Sequence, residues 1–167
     1  MTRTLILTRH AKSAWDDPAA DDHDRGLNKR GKKSAEAIGR WLEEQGHVPD
    51  QVLCSTALRA RMTWEGMAPA LGGGQAEFQA GLYLASQREM LSDLNRARGT
   101  CVLMIGHNPG IGYLAEMLAA KPANHPDFFR YPTAATTVMR FDVGKWSDAH
   151  QGTGRIVDFV VQRDLVD

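Results

Sequence analysis

Four residues of this chain have the types and the setting for phosphoryl chemistry. Arg9 and His10 close the apolar run Thr4-Leu5-Ile6-Leu7-Thr8, and His107 follows Cys101-Val102-Leu103-Met104-Ile105-Gly106. Arg59 lies shortly beyond Val52-Leu53-Cys54-Ser55. A neutral imidazole is a competent nucleophile, and a guanidinium holds an anion through a planar fork of donors. Transfer of a phosphoryl group asks for that set: a nucleophile, cations against the non-bridging oxygens, and in-line positioning. The attacking histidine has to be neutral at the attacking nitrogen, which a backbone carbonyl bonded to its other ring nitrogen secures. An Arg-His pair alone is an ordinary strand end. The reading rests on polar, anion-friendly groups recurring after three separate strand-like runs.

Those runs define the scaffold that must carry the four side chains. Short continuous apolar segments read as buried strands of a parallel sheet covered on both faces. Open α/β sheets take ligands just beyond the carboxyl ends of their strands. Asp16 to Arg25 is acidic and aperiodic and reads as a long loop. A helix is expected from Asn28, its N-cap, to about Gln45, with Ala35, Ile38, Trp41 and Leu42 inward and Gly46 as its stop. A strand over 51–55, a helix over about 57–71 ended by Gly72-Gly73-Gly74, and a short strand over 76–79 follow. A helix over 86–98 carries a capping box from Ser86 and Glu89. A strand over 100–105 leads into a helix opened by Pro109, and 121–132 reads as irregular. Strands over 136–143 and 155–163 form a hairpin-like pair that adds antiparallel character at one side of the sheet. The expectation is one domain over 1–167, a three-layer α/β/α sandwich around a mostly parallel sheet.

Acidic and basic residues balance at 20 each, so no global field favours nucleic acid or an anionic membrane. An anion site must then be a local cluster of arginines. No apolar run approaches the length of a membrane span, and no charged-then-apolar leader precedes the first strand. A cytoplasmic protein without nucleic-acid or membrane partners is the expectation; the sequence leaves the oligomeric state open, with a monomer as the default. Cys54 and Cys101 fall in predicted strands and read as small core hydrophobes of a reducing compartment. His47 and His150 lie near loop ends and read as solvated. Trp15, Trp41, Trp64 and Trp146 show no stacking pattern for nucleic acid.

Leu7-Thr8-Arg9-His10-Ala11-Lys12-Ser13 resembles the Arg-His signature of the histidine phosphatase superfamily, also called phosphoglycerate mutase-like. Gly follows the His in most branches; the Ala11-Lys12-Ser13 continuation resembles the SixA-type phosphohistidine phosphatases. Asp24-Arg25-Gly26-Leu27-Asn28 with Gly31, Cys54-Ser55-Thr56-Ala57-Leu58-Arg59-Ala60 and Ile105-Gly106-His107-Asn108-Pro109-Gly110 match further motifs in the family's order, and the resemblance runs to about Phe141. It implies a phosphoglycerate mutase-like fold and a phosphatase that uses no metal and no cofactor. It also implies that His10 is transiently phosphorylated, that Arg9 and Arg59 clamp the phosphoryl group, and that His107 donates to its oxygens. Lys12, Ser13 and Asn108 are implied as second-tier phosphate contacts by position. Arg25 matches a family position on a loop that it could equally brace.

Two departures bear on the substrate. Asp16 stands where mutase branches have Asn, an unhelpful charge beside a phosphate. Mutases and many small-molecule phosphatases supply a carboxylic general acid from a mid-chain insertion, whereas Gly81-Leu82-Tyr83-Leu84-Ala85-Ser86 is short and contains no acid. Glu77 and Glu89 flank it, with nothing marking either for catalysis. An open site without an acid suits an easy leaving group, such as the imidazole of a phosphohistidine presented by another protein. A phosphorylated protein is therefore the expected partner. A small phosphate ester handled by the same residues is the alternative, because fold does not fix substrate. A metal-dependent hydrolase would need Asp21, Asp22, His23 and Asp24 to converge with His107. A module that binds phosphohistidine without turnover would be expected to lack His10 or an arginine, and none is missing.

Overall fold

The computed structural model describes residues 1–166. Along the chain run β1 (Arg3–Arg9), α1 (Lys29–Glu44), β2 (Gln51–Ser55), α2 (Leu58–Met67), β3 (Glu77–Gln79), α3 (Gln87–Asn95), β4 (Cys101–Gly106), α4 (Gly110–Leu118), β5 (Thr136–Phe141), β6 (Arg155–Val160) and α5 (Gln162–Leu165). Period-two burial along the strands divides the apolar side chains between two cores. Leu5 and Leu7 of β1, with Val102 and Met104 of β4, face α3 and α4 through Leu94, Ile111, Leu114 and Leu118. Ile6, Leu103 and Ile105 face the opposite way, onto Ile38 and Leu42 of α1 and Trp64 and Met67 of α2. The result is the expected three-layer α/β/α sandwich.

The sheet has the order β3-β2-β4-β1-β5-β6. β3, β2, β4 and β1 are parallel, β5 is antiparallel to β1, and β6 is antiparallel to β5. Register is what positions the site. Arg9 pairs with Gly106 and Cys54 with Ile105, so β1, β4 and β2 end at one level. The residues that leave them, His10, His107 and those after Ser55, emerge side by side.

Local chemistry accounts for the helix bounds. Asn28 caps α1 by accepting from the Gly31 N–H, and Gly46 ends it with φ +79°. Gly31 is also a close-approach glycine: a Cβ there would stand 2.2 Å from the Lys12 carbonyl oxygen. Its bareness lets α1 press against the segment after His10, where Asn28 N–H donates to the same carbonyl at 3.1 Å. The Ser86–Glu89 capping box starts α3 as expected.

Several expectations differ from the structure: the helix over 86–98 ends at Asn95 and the strand over 136–143 at Phe141. The helix over 57–71 is α only to Met67, then a 3₁₀ turn over Ala68–Leu71, because Pro69 has no N–H to give the longer ladder. The last strand stops at Val160, where the Asp164 carboxylate accepts from the Val161 N–H and the chain turns into α5. His47 is buried rather than solvated, because the turn after α1 brings it onto Asp158 of β6. Its Nε2 meets Asp158 Oδ2 at 2.7 Å and its ring packs by Trp41. His150 is exposed. Cys54 is buried and Cys101 half-buried. No helix of the described residues is long and apolar enough to cross a membrane.

Candidate active site

The backbone around Arg9 and His10 is fixed before any side chain acts. His10 N–H donates to the Gly106 carbonyl at 3.1 Å, and Arg9 N–H to the Ala135 carbonyl at 3.0 Å. Ala134 N–H lies 3.1 and 3.0 Å from the Arg9 and His10 carbonyl oxygens. That turn contains Tyr131 and Ala134 at φ +47° and +66°, a left-handed conformation that costs an L-residue roughly 1–2 kcal/mol. It persists because Tyr131 is buried and its hydroxyl is held by the Leu7 carbonyl and Thr137, each at 2.8 Å. On the other side, Ala11 N–H donates to Thr63 Oγ1 at 2.9 Å, and Thr63 donates to the Arg59 carbonyl at 2.7 Å. The first turn of α2 is thereby locked to the loop that follows His10.

The two imidazoles stand with ring centroids 5.1 Å apart. His10 Nδ1 lies 2.8 Å from the Ala11 carbonyl oxygen. A carbonyl only accepts, so Nδ1 carries the proton and Nε2 keeps its lone pair. His107 has the complementary arrangement. Ser55 Oγ accepts from the Ala57 N–H, and its own proton finds an acceptor at His107 Nε2, 2.8 Å away. With Ser55 as the donor, the His107 proton sits on Nδ1, a buried nitrogen with no protein partner. Arg9 repeats the pattern: one terminal nitrogen donates to the Tyr131 carbonyl at 3.2 Å, while its buried Nε–H has no protein partner. Buried donors without partners are rare in folded proteins, and two of them here belong to one pocket.

Both histidines are held neutral. Burial, then the positive charges of Arg9 and Arg59, lowers His10 from 6.5 to about 4. Burial, then His10 and Arg59, lowers His107 to about 3. Arg9 is also lowered, by burial and by Arg59. The unfolded chain takes up protons on these rings below pH 6.5 while the folded one does not. Their contribution to stability is therefore complete above pH 6.5 and lost as pH falls toward 4 and 3. The His10→Gln/His107→Gln double variant is expected to lose less stability than the parent between pH 6.5 and 4, as measured by urea unfolding at each pH. Equal losses would mean that the rings already titrate normally when folded.

A cavity of about 450 Å³ opens over these groups, lined by Arg9, His10, Arg59 and His107 together with Lys12, Ser13 and Asn108. Arg25 is not part of the lining. Its guanidinium stacks over the Trp15 ring at 4.1 Å and donates to the Asp17 carbonyl, bracing the acidic loop. The loop contributes a different residue, Asp22, one of the stretch Asp21 to Asp24 weighed from the sequence as metal ligands or a hidden acid but not singled out within it. Arg59, itself buried, donates to the Asp22 carbonyl at 2.7 Å and to its Oδ2 at 3.0 Å. Tyr83 hydroxyl donates to the same carboxylate oxygen at 2.5 Å, and its ring meets His107 edge-on at 5.5 Å. The bond from Tyr83, then Arg59, holds the Asp22 carboxyl below its ordinary range, so it stays ionised. The other loop residues weighed as metal ligands turn elsewhere. His23 Nε2 pairs with Thr56 Oγ1 at 2.9 Å, and among the described residues no three potential metal ligands gather. Glu77 accepts from Gln51 Nε2, and Glu89 caps α3.

Comparison with known proteins gives the family. Residues 5–83 match the profile of the histidine phosphatase superfamily, branch 1. A solved structure from Nakamurella multipartitia, provisionally assigned as phosphohistidine phosphatase SixA, is 30% identical and superposes with a TM-score of 0.80 over 96% of each chain. The chain belongs to the histidine phosphatase superfamily. An Agrobacterium tumefaciens structure with the same provisional assignment is 28% identical, with a TM-score of 0.77 over 95% of this chain and 97% of that one. An uncharacterized Mycobacterium tuberculosis protein is 36% identical across 93% of this chain and 99% of its own length. Superfamily membership and a fold shared across nearly the whole chain with two structures assigned as phosphatases support phosphatase activity.

Proposed function

We propose that the protein removes the phosphoryl group from phosphohistidine side chains of another protein through a covalent intermediate on His10. The observation that carries this reading is the tautomer of His10. With Nδ1 tied to the Ala11 carbonyl, Nε2 presents a lone pair into a pocket lined by two guanidiniums. In the first step Nε2 attacks phosphorus in line and the substrate's P–N bond breaks. Arg9 and Arg59 hold the non-bridging oxygens, and His107 Nδ1–H donates to one of them as charge builds. In the second step water attacks phospho-His10 and releases phosphate. Lys12, Ser13 and Asn108 complete the anion's surroundings.

The preference for phosphohistidine rests on Asp22. It is the sole carboxylate among the described residues lining the pocket, and it is ionised and occupied by Arg59 and Tyr83. A carboxylate in that state has no proton to give an alkoxide, whereas an imidazole can leave already protonated. The two relatives assigned as phosphohistidine phosphatases support the same substrate. Turnover of a phosphohistidine protein against a panel of phosphomonoesters, with chelator present, tests the proposal. Faster turnover of alkyl esters would replace it with a small-ester phosphatase.

Arg59 acts through geometry as well as charge. Arg59→Ala is expected to lower kcat/KM by roughly 10²-fold or more, the scale of losing a charge-assisted bidentate contact. Arg59→Lys should recover only part, since a point charge replaces a fork that also meets Asp22. Full activity in the Lys variant would reduce Arg59 to a source of net charge.

A further inference from the structure

A second cluster of arginines opens beside the phosphate pocket. Arg30 in the first turn of α1, Arg130 ahead of the Tyr131 turn and Arg163 of α5 line a cavity of about 200 Å³. Pro132 and Thr133 line this cavity and also line the phosphate pocket, so the two spaces share one wall. Asp127 is the one carboxylate among the described residues lining it. It is buried, with one oxygen on Arg163 and the other 3.5 Å from Arg130. Asp164, next to Arg163, is engaged elsewhere, accepting from Val161 N–H and meeting His125 Nε2. Arg30 forms no ion pair among the described residues.

Three guanidiniums against one carboxylate leave positive charge in excess, in a chain whose net charge is zero. The buried Asp127 anchors the arrangement from beneath, while the Arg130 and Arg163 side chains, each paired with it, remain 79% and 71% exposed. Guanidiniums so grouped match carboxylate or phosphate oxygens.

We infer that this cavity is a subsite for a second anionic group on the substrate, a carboxylate or phosphate held close to the phosphoryl group being transferred. The inference rests on the neighbouring pocket being the phosphoryl site. For a protein substrate it selects acidic side chains flanking the phosphohistidine. For a small molecule it selects a second phosphate.

The test compares the parent with the Arg30→Gln/Arg130→Gln double variant; Arg163 is left intact because it neutralises buried Asp127. Substrates are phosphohistidine peptides with neutral or Asp/Glu flanks, blocked phosphohistidine with no carboxylate, an aryl phosphate, and paired mono- and bisphosphorylated alkyl compounds. Acidic flanks are expected to lower KM roughly tenfold in the parent, an effect erased in the variant and weakened by salt. Blocked phosphohistidine and the aryl phosphate should be unchanged by the substitutions. A gain confined to the bisphosphorylated compound would assign the second anion to a small molecule. The inference is overturned if the parent gains nothing from either anion, or if the variant slows every substrate alike. Should the variant fail to fold, the parent's comparison of charged with neutral partners and its salt dependence still decide. Poor turnover of blocked phosphohistidine relative to the esters would overturn the phosphohistidine reading alone, leaving the subsite to be judged by the bisphosphorylated pair.

Discussion

His10→Ala is expected to form no phosphoenzyme and to turn over substrate at no more than about one part in 10⁴ of the parent rate, the scale on which removal of a nucleophile is felt. No other side chain of the pocket is set up to replace it. His107 is neutral too, but its Nε2 lone pair accepts from Ser55 and its Nδ1 carries the proton, so it faces the pocket as a donor. Ser13 has a hydroxyl in the lining, yet no hydrogen bond links it to a histidine base among the described residues. His107→Ala should therefore behave differently, slowing the chemistry roughly 10²- to 10³-fold, as loss of one oxyanion donor does, while phosphoenzyme remains detectable. Trapping acid-labile phosphate on the protein after rapid mixing reads both outcomes. A His10→Ala protein working near the parent rate would place the nucleophile elsewhere.

The sequence makes the ends of β1 and β4 legible because each is a short, continuous apolar run that stops at polar residues. It cannot show that these strands are neighbours. That depends on the order β2-β4-β1 and on the pairing of Arg9 with Gly106, which brings His10 beside His107. The helix starts at Asn28 and Ser86 were readable for a local reason: a cap and its partner lie within one turn. Asp21 to Asp24 could be named as candidates, but not Asp22 among them, because the acidic stretch from Asp16 has no period and any of its carboxylates could turn inward. A signal existed in Tyr83 and Arg59, a phenol and a guanidinium able to share one carboxylate, but only tertiary structure joins residues so far apart. Ser55 is a similar case. It reads as the last residue of a strand, and its hydroxyl sets the His107 tautomer across two strands. His47 failed for the opposite reason: its neighbours in sequence are loop-like, while its partner Asp158 lies on β6.

The dependence of rate on leaving group should be steep. With Asp22 ionised and bound by Arg59 and Tyr83, the pocket has no carboxyl proton to give the leaving group in the first step. General acid catalysis contributes roughly 10²- to 10⁴-fold where it operates, and alkyl esters here should forgo that factor. Phosphohistidine, whose imidazole departs protonated, should exceed phosphoserine or a sugar phosphate by a factor on this scale, with aryl phosphates between them. The effect belongs to phosphoenzyme formation, because attack of water on phospho-His10 is common to all substrates. Rapid-mixing measurement of that step across esters of increasing leaving-group basicity gives the slope directly. Asp22→Asn separates the two roles open to this side chain. If Asp22 only positions Arg59, the variant alters phosphate affinity while the slope stays steep. If it delivers a proton, the parent's slope is shallow and the variant's becomes steep, because the amide has none to donate. That second result would move the protein to the small-ester phosphatases, with Tyr83 holding an acid in place.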